Sequence, residues 1–137
     1  MRRVRVLAVI ALGFLGLSAL AGSIPMILLP RGSQMMPLSL LQHSPFHSYL
    51  VPGIILLAAN GLLALAILWL VIMQRPHFGL WTAFQGCVLL GWLVVECWML
   101  RMVSWLHYLY GALALMLICA GLALRRDPAG PPLRDRP

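Results

Sequence analysis

Residues 78–100 read FGLWTAFQGCVLLGWLVVECWML, a stretch in which Glu96 is the single charged side chain. A membrane-crossing helix takes about 20 predominantly apolar residues, and hydrocarbon penalises an ionisable group unless a partner or water compensates. The stretch therefore reads as a transmembrane helix, and Glu96 is the one residue in it whose placement is costly. The other two carboxylates of the chain, Asp127 and Asp135, fall in a polar tail.

Three more runs of the same character flank this one. They place helices at about 4–29, 49–73, 78–100 and 103–124, joined by an outer loop over 30–48 and followed by a tail over 125–137. The expected fold is an all-α integral membrane protein: a four-transmembrane-helix bundle forming one domain over 1–124, with both termini cytoplasmic. Composition agrees, since 62% of the 137 residues are hydrophobic and 9% are charged, whereas soluble domains are about one quarter charged. Four spans nearly exhaust the length, which leaves no room for a soluble catalytic domain. The tail, RRDPAGPPLRDRP, is charged and rich in proline and is expected to be disordered. Between the second and third runs, Pro76 after Arg75 is a stop signal, because proline cannot continue a helix and restricts the residue before it.

The ten basic residues are all arginine. A cytoplasmic amino terminus puts Arg2, Arg3, Arg5, Arg75, Arg125, Arg126, Arg134 and Arg136 inside and leaves Arg31 and Arg101 outside. That is the asymmetry the positive-inside rule selects. The arginines are split among termini and turns and form no basic face, so nucleic acid is not an expected partner. Trp69 and Trp81 fall near the inner boundary, and Tyr49, Trp98, Trp105 and Tyr108 near the outer one, as expected of amphipathic rings at headgroup depth. Cys87, Cys97 and Cys119 lie in apolar runs without paired spacing and read as small buried hydrophobes. A competing reading of the first run is a signal peptide, from MRRVR, an apolar core and Ala19, Leu20 and Ala21. Against it, the apolar stretch continues to Leu29.

The 30–48 loop is too apolar for a freely solvated linker, and Met35, Met36, Leu38, Leu40 and Leu41 are expected to rest on the outer interface or cap the bundle. Ser44 before Pro45 offers a capped start to the second helix, and Pro52 falls within its first turns, where a kink is expected. His43 and His47 beside the two methionines raise a soft-metal site, but Pro45 between them at a helix start puts His43 outside the helix, so the two rings need not share a face. No metal is expected to bind. Haem is no better supported, with only His107 clearly near a helix.

At about 100° per residue, Gln85, Trp92 and Glu96 fall within about 20° of one line on the third helix. They form a polar stripe expected to face protein. Glu96 lies about 6 Å along the axis from Leu100. Arg101 is turned about 140° away from it, so His107 and Tyr108 at the start of the fourth helix are the better partners. One reading makes Glu96 a proton or cation site tuned by His107, an imidazole being the side chain that ordinarily titrates near neutral pH. The favoured reading makes it a carboxyl that fixes how two helices pack. In the second helix Gly53, Asn60 and Ala64 share a face, and in the first Ser18 with Gly22 and Ala19 with Ser23 are small-residue pairs four apart. Small residues let backbones approach, and Asn60 can donate and accept across an interface. Trp92, Trp98 and Met99 raise a quinone or lipid site, although aromatic residues in a span are usually packing or anchors. No phosphate loop, HExxH or nucleophile elbow occurs.

The segments SPFHSYLVPGIILLAANG, GWLVVECWML and SWLHYLYGALAL together resemble small four-span bacterial membrane proteins of uncharacterised activity. In these a PFxxYLxPG motif opens the second helix and a WL, aromatic and LY cluster opens the fourth. The resemblance covers roughly residues 44 to 120 and implies a bacterial inner-membrane protein with four helices, and it brings no activity; from the residues themselves, no cofactor and no catalytic residue are expected. It also implies Glu or Gln near Glu96, so that a hydrogen bond there matters more than a charge. The expectation is a non-enzymatic accessory or helix-packing membrane subunit in which Glu96, His107, Gln85, Asn60 and Tyr108 are the intramembrane polar candidates. Its partners are the lipid bilayer and either further copies of itself or another membrane protein. The alternatives are a small oligomeric ion- or proton-coupled permeation unit using Glu96, and a quinone- or lipid-binding redox component.

Overall fold

A computed structural model describes residues 2–29, 48–100 and 105–126. Among them every regular element is helical. Helix α1 spans Arg2–Leu28, α2 spans Leu50–Ile72, α3 spans Phe78–Leu100 and α4 spans Trp105–Arg126. All four are long and apolar enough to cross a membrane. The expected helix ends all lie within two residues of these, α4 starting at Trp105 and running on to Arg126. The outer loop with His43, His47, Met35, Met36 and the Ser44–Pro45 start, the turn residue Arg101 and the tail from Asp127 lie outside the described residues.

The helices form a ring in chain order, α1 against α2, α2 against α3, α3 against α4, and α4 back against α1, with the α3–α4 contact the most extensive. Neighbours in sequence run antiparallel. Gly16 meets Leu65 while Gly53 meets Met26 and Ile27, and Gly79 meets Gly121 and Arg125 while Gly86 meets Ala114 and Ile118. One core of Ala8, Leu12, Leu15, Ile67, Val71, Leu89, Leu93, Leu113 and Leu117 fills the ring, with a smaller cluster around Met26 and Tyr49 at the other end of α1. The outer faces are as apolar as the inside: Ile10, Leu17, Val94 and Leu115 are each more than half exposed. A soluble bundle would place polar side chains there, and apolar residues on every face of a helix are the mark of one surrounded by lipid or protein. Hydroxyls inside the helices are satisfied locally, Ser18 and Ser23 donating to the Leu15 and Leu20 carbonyls and Thr82 to that of Phe78 at 2.8 Å.

Pro52 is the third residue of α2, where an amide has no partner within the helix in any case, and the first bond, Gly53 to the Tyr49 carbonyl, forms beside it. The departure from α geometry comes later, in a π-helical turn over Leu57–Leu62 that contains Asn60 and Gly61. Tyr49 also differs from expectation. It is 3% exposed and packs with Met26, and this burial pushes its phenol above the ordinary value. Trp69, Trp81, Trp98, Trp105 and Tyr108 all present their rings outward.

The α2–α3 turn ends α2 with a Schellman motif. Gln74 takes a left-handed conformation, φ 51°. Its amide bonds the Val71 carbonyl and the Arg75 amide bonds the Leu70 carbonyl. Pro76 then prevents continuation, and the Arg75 guanidinium lies over the Trp69 ring at 5.3 Å. A side chain at a left-handed position costs about 1 kcal/mol that glycine avoids. Gln74→Gly should therefore stabilise the protein by about 1 kcal/mol, measured by reversible unfolding in mixed micelles; a loss of stability would show that the Gln74 side chain makes contacts that outweigh the backbone strain.

Candidate functional site

Two polar groupings sit inside the bundle, both on the face of α3 that carries Gln85, Trp92 and Glu96. The deeper one joins α3 to α2. Asn60 occupies the middle of α2 in the π turn, and both Asn60 and Gln85 are 0% exposed. The local backbone explains why Gln85 points there. The Leu63 amide bonds five residues back, to the Ala58 carbonyl, and four-residue bonding resumes along Leu63–Ile72, so the ladder steps over the Ala59 carbonyl. Gln85 Nε2 donates to that carbonyl at 3.1 Å and to Asn60 Oδ1 at 3.3 Å. A glutamine on one helix thus serves a backbone group that the π turn of another has released.

The second grouping joins α3 to α4 near the other end of α3. His107 Nε2 lies 3.7 Å from Glu96 Oε2, with the imidazole 10% and the carboxyl side chain 33% exposed. Trp92, one turn back on α3, lies on the same face of the helix as this carboxyl. A charge on the imidazole would make this an ion pair; as a neutral pair at 3.7 Å the two are in contact without a direct hydrogen bond. Tyr108, the other expected partner, is 73% exposed and points away from the bundle. The one-residue step along α4 turns it about 100° from His107. The stripe on α3 is therefore graded, with Gln85 sealed, Trp92 half-buried and Glu96 opening toward the outside.

Between the two groupings the interior is apolar. Leu89 and Leu93, which lie between Gln85 and Glu96 on α3, are 2% and 7% exposed, and Leu113 on α4 is 9% exposed. Gln85 and Glu96 are about 16 Å apart along the axis, so this leucine layer insulates one from the other. The remaining sequence candidates serve packing: Gly53, Ala64, Ala19 and Ser23 are all buried. Cys87 and Cys119, expected to be buried, are exposed on the outer surface. Among the described residues no three of His, Cys, Asp and Glu lie together as a metal site would require.

No protein-family model matches the chain, and neither the curated proteins nor the solved structures contain a significant match. The site must be read from its own chemistry. What sequence reasoning missed is the glycine seam between α3 and α4. A Cβ at Gly79 would lie 2.9 Å from the Gly121 carbonyl oxygen, and one at Gly86 2.7 Å from that of Ala114. The signal was present as matched seven-residue intervals, Gly79 to Gly86 and Ala114 to Gly121, which return to the same helix face after about two turns.

Proposed function

We propose that this chain is a non-enzymatic, multi-pass subunit of a bacterial inner membrane, with both termini in the cytoplasm, whose intramembrane polar residues specify helix association. The observation that carries the reading is the leucine layer formed by Leu89, Leu93 and Leu113 between the Asn60–Gln85 and Glu96–His107 groupings. A conducting path needs polar groups or water in succession, whereas here each polar grouping joins one pair of neighbouring helices and ends there. Gln85 binds α3 to α2, and Glu96 faces α4. Interhelical hydrogen bonds of this kind are worth about 0.6 kcal/mol on average in a bilayer, enough to select a register without dominating stability. The eight arginines on the side of the termini support the orientation.

Glu96→Gln in proteoliposomes tests the reading. Wild-type protein and the variant should both leave proton flux at the level of protein-free liposomes, with assembly and melting temperature unchanged, because glutamine keeps the volume and polarity of the side chain beside His107. The competing reading, an oligomeric proton-coupled unit, is favoured by the half-open Glu96 carboxyl 3.7 Å from a histidine. A wild-type flux that Glu96→Gln abolishes while assembly persists would establish it. Native mass spectrometry from mild detergent would report copy number and any retained lipid, quinone or protein partner.

A further inference from the structure

The Asn60–Gln85 grouping contains two polar atoms that its hydrogen bonds do not use. Gln85 Nε2 donates twice, but Gln85 Oε1 and Asn60 Nδ2 are fully buried and meet no partner among the described residues. The amide orientations are fixed by chemistry. Exchanging the oxygen and nitrogen of Gln85 would set its oxygen against the Ala59 carbonyl oxygen, two acceptors facing each other. The atoms left over are therefore one acceptor and one donor, on side chains that touch through a 3.3 Å bond.

We infer that this grouping is a built internal site for one water molecule, which accepts from Asn60 Nδ2, donates to Gln85 Oε1, and has its second proton available to a spare lone pair of a π-turn carbonyl. The occupant's class follows from the leftover atoms. A cation would be repelled by the Asn60 donor and would lack a counter-charge in a grouping of neutral amides, and an anion would meet the Gln85 oxygen. A molecule that both donates and accepts suits both atoms. Internal waters of this kind commonly bond two to four buried polar groups and are costly to remove. The π turn supplies the reason for the site's position, since it releases the Ala59 carbonyl that draws Gln85 inward and leaves both amides incompletely used. The water would lock the central register of α2 against α3.

Asn60 is the only asparagine in the chain, so asparagine labelled with nitrogen-15 gives one side-chain amide signal. Full-length protein in deuterated-lipid bilayers should show a dipolar cross-peak from the Asn60 side-chain protons to a bound water. The same protons should stay protected from exchange after transfer to heavy water, which separates an internal molecule from bulk access. In Gln85→Leu the cross-peak should be lost. A protected Asn60 amide without a water cross-peak in the wild type would overturn the inference, because the amides would then be satisfied by repacking. Rapid exchange would overturn it as well, by showing an open path. So would a signal that shifts with sodium or potassium concentration, which would identify a cation. The wild-type measurement decides the matter even if Gln85→Leu fails to fold.

Discussion

Gly121→Ala should unfold the α3–α4 half of the bundle at lower denaturant than any other single-methyl change in the protein. The added Cβ would fall against the Ala83 backbone and 2.5 Å from the Gly79 carbonyl oxygen. These are backbone atoms, so no side-chain rotation can relieve the clash and the two helices must separate. Overpacking of this kind costs about 1–3 kcal/mol and occasionally more, and the upper end is expected because the whole α3–α4 seam shares the displacement. Gly86→Ala, with its Cβ 2.7 Å from the Ala114 carbonyl oxygen, should behave similarly. Gly91 supplies the control, since nothing lies within 4 Å of a Cβ built there. Gly91→Ala should be neutral or stabilise by up to about 1 kcal/mol through helix propensity alone. Unfolding in mixed micelles, followed by circular dichroism, reads all three. Equal effects at Gly121 and Gly91 would mean that the seam is not closely packed.

Gln85→Leu should cost about 1–3 kcal/mol, more than a typical interhelical hydrogen bond in a bilayer. The difference lies in what remains: the Ala59 carbonyl and the Asn60 side chain both lose their Gln85 donor while staying buried. Leucine preserves most of the volume, so the loss reports polarity rather than a cavity. Asn60→Leu in the same background should recover part of the loss, because one of the stranded groups is removed while the Ala59 carbonyl stays. The double-mutant cycle should give a coupling of about 0.5–3 kcal/mol. A coupling near zero would separate the two amides energetically and leave Gln85 as a space-filling residue.

The candidate site was legible residue by residue, and of its two pairs only Glu96 with His107 could be read from the sequence. Helix geometry puts Gln85, Trp92 and Glu96 on one stripe of α3, and proximity across a short turn suggests His107 for Glu96. Both arrangements depend on rotation within one helix or on adjacent helix ends, which a sequence encodes directly. Asn60 and Gln85 lie on different helices, far apart in the chain, and their contact depends on the rotation and depth of α2 against α3. The π turn over Leu57–Leu62 adds to this by shifting the register within α2, and nothing in the run LAANGL demands it. Tyr49 illustrates the same limit, since an aromatic residue at a helix boundary is equally suited to the membrane interface and to the pocket beside Met26 that it occupies.

The sequence by itself determined the class of molecule: four apolar helices of spanning length, a single carboxylate within them, and arginines gathered toward the termini. Those features follow from transfer free energies summed over local windows, and no tertiary contact can reverse them. The tertiary structure alone decided which polar groups meet. It closed α3 on α4 through glycines that bring backbones together, placed Gln85 on a carbonyl released by α2, and set a leucine layer between that pair and Glu96. The outer faces are as apolar as the core, so hydropathy does not say which side of a helix turns inward, and only close packing and the pairing of a few buried polar atoms fix it.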